Sequence, residues 1–143
     1  MIDVTGKAVV APDFSTIDEF AGVFPGWCAW RYEDRCSGKK PAKVPFGKRG
    51  RLSTAEPASW LAYSDARVFF NGGGFDGLGV LMTGSNGVVA FDVDGCLDDA
   101  GNVVAEHDAV AALEAMGSYI EVSPGGRGLR GFVIGAKPEG CRE

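Results

Sequence analysis

Short apolar runs mark the second half of the chain, and glycines punctuate them. Val88–Val93 (VVAFDV) is the clearest strand, β-branched and aromatic between glycine-bearing turns. Gly79–Thr83 reads as a strand before it and Gly84–Gly87 as a tight turn, so the two strands are expected to pair as a hairpin. Asp94–Asn102 is a loop. Val103–Met116 has helical spacing, with Val104, Ala111 and Leu113 turned to a sheet and Gly117 ending the helix. Ser118–Val122 and Leu129–Ile134 are strands joined by the turn Ser123–Gly128, and Gly135–Glu143 reads as an unfinished connection.

The first half is less regular. Residues 1–12 read as a loose entry arm, and Ser15–Val23 as a short helix capped by Ser15 or Thr16 with Asp18 and Glu19 in its first turn. Pro25–Gly26 stops it. Trp27–Tyr32 alternates bulky residues as a strand does, and Glu33–Arg51 is a loop or ragged hairpin. Ser53–Ala66 has a cap in Ser53 or Thr54, a tolerated Pro57, and a face of Trp60, Leu61, Tyr63 and Ala66, which predicts a helix. Asn71–Asp76 is a glycine-rich turn. The sum is an α+β fold, a mixed and mainly antiparallel sheet with helices packed on one face, in a single domain spanning residues 1–143.

Charge changes this picture in one respect. The net charge is −5, which excludes a generally basic nucleic-acid coat. Yet Arg31, Arg35, Lys39, Lys40, Lys43, Lys48, Arg49 and Arg51 crowd one stretch against only Glu33 and Asp34, while acid gathers between Asp92 and Glu121. Cys28, Cys36, Cys96 and Cys141 have no CxxC spacing and His107 is the only histidine, so no zinc pattern is present. With no signal peptide and no membrane-length apolar run, a cytoplasmic protein with free thiols and no membrane partner is expected.

The most informative chemistry is in VVAFDVDGC (Val88–Cys96). Side chains alternate along a strand, so Asp92 and Asp94 point the same way, roughly 7 Å apart, while Phe91 and Val93 turn to the core. Two carboxylates on one face repel each other, and a divalent cation relieves that repulsion. Mg²⁺ takes carboxylate, phosphate and water oxygens, and a metal pair suits phosphoryl or nucleotidyl transfer. The blander alternative is two solvent-exposed acids opening a turn with Gly95. An EF-hand does not fit, since Leu97 and Val103 stand where its glycine and glutamate belong.

The second candidate is EVSPGGRGLRGFV (Glu121–Val133). Backbone N–H groups of such a turn can form an anion nest, with Ser123 adding a hydroxyl and Arg127 and Arg130 adding charge. The alternative is an ordinary hairpin turn that uses glycine for positive φ.

FDVDGCL resembles the first motif of the haloacid-dehalogenase phosphatases, with Asp92 as nucleophile and Asp94 as acid/base. Cys96 stands where that family usually has threonine, and its later acidic pair has no counterpart in Val103–Glu143. Both motifs together resemble the archaeo-eukaryotic primase superfamily, specifically the bifunctional primase-polymerase domains of phages and plasmids. That family has a DxD on a strand, a helix, and a strand reading close to E-x-S-P-S-G-x-G-L-H-x-F. The matching residues are Asp92, Asp94, Glu121, Ser123, Pro124, Gly126, Gly128, Leu129 and Phe132, and Lys39–Trp60 is similar to the family's K-x-P-x-x-P … S-T-x-x-P-x-x-W passage. The resemblance spans about residues 25–138 and implies a primase-polymerase, RRM-like core.

By that resemblance Asp92 and Asp94 are the catalytic, metal-binding pair for Mg²⁺ or Mn²⁺. Ser123, Gly126, Gly128, Arg130 and Lys43 hold a nucleoside triphosphate, and Lys39, Lys40 and Arg49 meet DNA, single-stranded or template-primer. A helicase-like region or replication protein is the implied partner. Two departures bear on catalysis. Arg130 replaces the family's triphosphate-contacting histidine, for which His107 on a predicted helix does not substitute. The family's third carboxylate, which follows that strand, has no clear equivalent before Glu143, so the chain reads as a shortened copy. A non-catalytic mobile-element derivative that binds nucleic acid or inhibits a host defence complex is the competing reading.

Overall fold

A computed structural model describes residues 9–35, 38–83, 87–104 and 108–136. They fall into two compact units, Met1–Thr83 and Gly84–Glu143, each with its own sheet. Both sheets are antiparallel, with helices beside them, so the α+β class holds while the expected single mixed sheet is replaced by two.

In the first unit, helix α1 spans Phe14–Phe20 and a 3-10 turn follows at Ala21–Val23. Its cap is Asp13, one turn earlier than Ser15 or Thr16, because the Asp13 carboxylate accepts from the Ser15 N–H and from both hydroxyls. Strand β1, Gly26–Glu33, is central and pairs with β2, Ala42–Gly47, and with β4, Gly77–Leu81; β3, Gly50–Arg51, extends β2. Its residues Trp27–Trp30 are all buried, as befits a strand covered on both faces. Helix α2 runs over Tyr63–Asn71 and packs on β1 and β4. The helix expected over Ser53–Ala66 is therefore displaced. Leu61 exchanges backbone hydrogen bonds with Trp27, both 2.9 Å, which keeps Trp60–Leu61 extended, and only a 3-10 turn at Pro57–Ser59 precedes it. The entry arm is not wholly loose either, since Val9 is buried.

In the second unit, β5 (Val88–Val93), β6 (Tyr119–Val122) and β7 (Leu129–Ile134) form a sheet in the order β5-β7-β6. The hairpin expected between the strands around residues 84–87 is not formed. Strand β4 pairs instead with β1, over Gly77–Leu81, and β5 with β7, over Val88–Val93, each at the edge of its own sheet. Helix α3, Asp108–Ala115, covers one face. Its inward residues are Val110 and Leu113; Val104 and Ala111 are exposed, and Val103 instead bridges to Leu97. Val110 joins Cys96 and Leu97 in a core that Val93 and Leu129 complete. Gly131 lies under Leu113, and a Cβ there would come within 2.3 Å of Leu113 Cδ1. Phe91, expected in the core, is exposed.

Candidate functional site

Register assembles the site in the second unit. Asp92 on β5 faces Arg130 on β7, and Arg130 faces Glu121 on β6. Directly opposed residues project to one face, so the three form a row across the sheet, opposite the α3 side. The Arg130 Nε donates to Asp92 Oδ1 at 2.8 Å, and Nη2 donates to Oδ2 at 3.3 Å. Nη1 lies 3.9 Å from Glu121 Oε1, an ion pair beyond hydrogen-bond reach. Tyr119 holds the other oxygen of Glu121, its hydroxyl donating at 3.0 Å. The Asp92 side chain is 54% exposed and Arg130 30%, so solvent reaches the row.

Asp94 stands one residue beyond β5, in a turn that Gly95 closes at φ 67°. It is exposed, and among the described residues its side chain has no hydrogen-bond or ion-pair partner. The glycine turn abuts this point. A Cβ on Gly128 would lie 2.8 Å from Val93 O and 3.5 Å from Asp94 Cα, so only glycine lets the chain pass. The turn closes around Ser123. Its N–H donates to Gly128 O, Gly126 N–H donates to Ser123 O, and Gly128 N–H donates to Ser123 Oγ at 3.2 Å. Three backbone N–H groups of the segment envisaged as an anion nest are thus committed within the turn, while the Ser123 hydroxyl keeps its own proton to donate.

The other acids nearby are spent on shape. Asp98 accepts from the N–H groups of Asn102 and Ala100, which hold its carboxyl below the usual range, the Asn102 backbone contributing most. Asp99 pairs with Arg127 at 2.5 Å. Among the described residues, no three metal-ligating side chains gather. The oxygen donors suit a hard cation, but Asp92 gives both of its oxygens to a guanidinium. As arranged, the row does not fit a resident divalent ion.

The basic stretch belongs to the first unit. Arg31 and Arg51 both pair with Glu33, and Lys48 pairs with Asp65 at 2.7 Å. Lys43 lies over the rings of Trp30 and Tyr32, at 5.5 and 5.9 Å from their centroids. Lys39, Lys40 and Arg49 are exposed and, among the described residues, unpaired. Sequence reasoning quoted Glu121 within a motif but gave it no role. A turn closed by Val122 and Leu129 already placed it opposite Arg130. His107 and Cys141 lie outside the described residues.

Strand β5 lies in an antiparallel sheet, which argues against the parallel Rossmann-like domain that a haloacid-dehalogenase nucleophile opens. Among the described residues no helix is long and apolar enough to cross a membrane. No family model matches the sequence. Over 115 residues, 79% of its length, the chain is 30% identical to the DNA primase-polymerase of Nitratiruptor phage NrS-1, and it spans 15% of the length of that protein.

Proposed function

We propose that this chain is a nucleotide- and DNA-binding core of the primase-polymerase type, serving template-directed nucleotidyl transfer in phage or plasmid replication. The observation that carries the reading is the carboxylate row seated against the Ser123–Gly128 turn, within a sequence similar to a phage DNA primase-polymerase. In this reading Arg130 and the Ser123 hydroxyl hold the triphosphate, and Gly126 and Gly128 shape the turn. Guanidinium binds phosphate oxygens in pairs, as it binds a carboxylate. Asp92 and Asp94 are the acids of the reaction centre, and Mg²⁺ or Mn²⁺ is the proposed cofactor. Lys39, Lys40 and Arg49 meet the DNA backbone.

One observation favours a second reading. The bidentate grip of Arg130 on Asp92 neutralises the acid that the reaction needs. A derivative that binds nucleic acid, or blocks a host complex, without catalysis would keep such a pair. Primer extension and de novo primer synthesis with Mn²⁺, on the parent chain and on Arg130→His, separate the two. Triphosphate binding with weak incorporation, improved by histidine, is the expected result. A chain that binds neither triphosphate nor single-stranded DNA would overturn the primase-polymerase reading.

A further inference from the structure

We propose that Arg130 is an internal counter-ion that keeps the carboxylate row closed to metal until polyphosphate draws it away, so that metal and triphosphate enter together. The inference rests on the reading above and goes beyond it, because it assigns an order of binding and a positioning residue that sets the order.

Asp92, Glu121 and the neighbouring Asp94 are three acids, and Arg130 supplies the opposing charge within the row. Both Asp92 oxygens are engaged, at 2.8 and 3.3 Å. A dication bound to Asp92 with Arg130 in place would set two cations on one carboxylate, so metal must first expel the guanidinium. Expulsion into water forfeits a bidentate, charge-assisted pair. A polyphosphate offers the guanidinium an equivalent pair of oxygens and a higher charge. Once Arg130 turns to phosphate, Asp92 is left with free oxygens beside Asp94, which has no side-chain partner among the described residues. The third arm of Arg130 lies 3.9 Å from Glu121, beyond hydrogen-bond reach, so among the described residues Asp92 is its one close hold. Lysine would lack the paired geometry, and neutral histidine would lack the charge that closes Asp92. Linkage then requires reciprocity: whatever factor polyphosphate adds to metal affinity, metal adds to polyphosphate affinity.

The test uses the whole chain and each ligand alone. Mn²⁺ titration is followed by paramagnetic broadening at Phe91–Gly95, without phosphate, for the parent, Arg130→Gln and Arg127→Gln. Arg130→Gln is expected to bind Mn²⁺ about tenfold more tightly than the parent, within the usual range for coupled sites. Arg127→Gln, which removes an equal charge from the adjoining turn, is expected to change it much less. The converse arm is inorganic tripolyphosphate binding without metal, measured by calorimetry. Asp92→Asn frees Arg130 and is expected to tighten binding well beyond Asp94→Asn, which removes the same charge but frees nothing. The Asp92→Asn and Asp94→Asn pair carries the test if Arg130→Gln fails to fold. Equal Mn²⁺ affinity in the parent and Arg130→Gln, or equal effects of the two asparagines, overturns the counter-ion role and leaves the primase-polymerase reading to its incorporation assay. Broadening absent from every variant overturns both the counter-ion role and the metal part of that reading.

Discussion

Two arginine–aspartate pairs show how one residue chemistry serves different ends. Arg67 holds both oxygens of Asp18, at 2.7 and 2.8 Å, while lying 4.6 Å from the Phe14 ring centroid, and Tyr63 donates its hydroxyl to the same carboxylate at 2.5 Å. That pair fastens α1 to α2 through a single guanidinium nitrogen, Nη1, which donates to both oxygens. Arg130 instead divides itself between two acids and satisfies only one at hydrogen-bond distance. The Asp18 carboxyl is held below its usual range, first by the Tyr63 hydroxyl and then by Arg67, so its contribution to stability is present at neutral pH and lost as acid protonates it. Tyr63 moves the other way. Burial first, then the bond to Asp18, pushes its phenol up to about 12. A raised folded value stabilises the protein below the ordinary phenol value of 10.0 and loses that contribution as pH climbs to about 12. Absorbance at 295 nm, parent minus Tyr63→Phe, should place this ionisation near 12, with the parent's unfolding midpoint falling across the same interval. Ionisation at the ordinary value would show that the Tyr63–Asp18 bond does not persist in solution.

At the scale of elements, the site depends on how closely the glycine turn meets the end of β5. Gly128→Ala would bring a Cβ to 2.8 Å from Val93 O, a backbone atom that cannot swing aside. It should destabilise the protein by about 1–3 kcal/mol in urea unfolding, the usual range for overpacking. Gly125→Ala, with nothing within 4 Å of its new Cβ, should stay within about 0.5 kcal/mol of the parent. Equal effects would mean that the turn is not seated against β5. The legible parts of this fold were those fixed by local pattern. Val88–Val93 and Leu129–Ile134 read as strands because short apolar, β-branched runs and bounding glycines are local signals, and the DxD and the Ser123–Gly128 turn were visible for the same reason. What escaped was set by distant partners. Trp60 and Leu61 have helical spacing, yet the backbone pairing of Leu61 with Trp27 overrides it. The strand before residue 84 was assigned to its neighbour in sequence, whereas β1 claims it. Val110 replaces Val104 on the buried face of α3 because the Leu97–Val103 bridge ends the loop and delays the helix.

At the scale of the whole molecule, a chain of net charge −5 that meets DNA must do so through a local excess of cations. The basic stretch holds that excess, but its members are not equivalent. Glu33 already offsets one of the two charges of Arg31 and Arg51, and Asp65 offsets that of Lys48, so these cations act at a distance as one net charge rather than three. Lys39 and Lys40 are exposed and have no acidic partner among the described residues, and Lys43 lies over the rings of Trp30 and Tyr32. Trp30 is buried and Tyr32 half-buried, so Lys43 offers single-stranded DNA a charge for its phosphates rather than a ring face for its bases. Each phosphate contact releases counter-ions and contributes about 0.7 to the salt slope of single-strand binding. Replacing Lys39, Lys40 and Lys43 together by alanine should therefore weaken oligo-dT binding at low salt and lower the log–log slope by up to about 2. Arg31→Ala with Arg51→Ala removes two charges but releases Glu33 as well, so its slope should change by less than the number of charges removed implies. Fluorescence anisotropy across a potassium chloride series measures both. If the compensated pair proves as costly as the lysines, binding follows net charge and not the local pattern. If the parent chain fails to bind even at low salt, its cations serve another surface, and the non-catalytic inhibitor reading gains the ground that DNA binding loses.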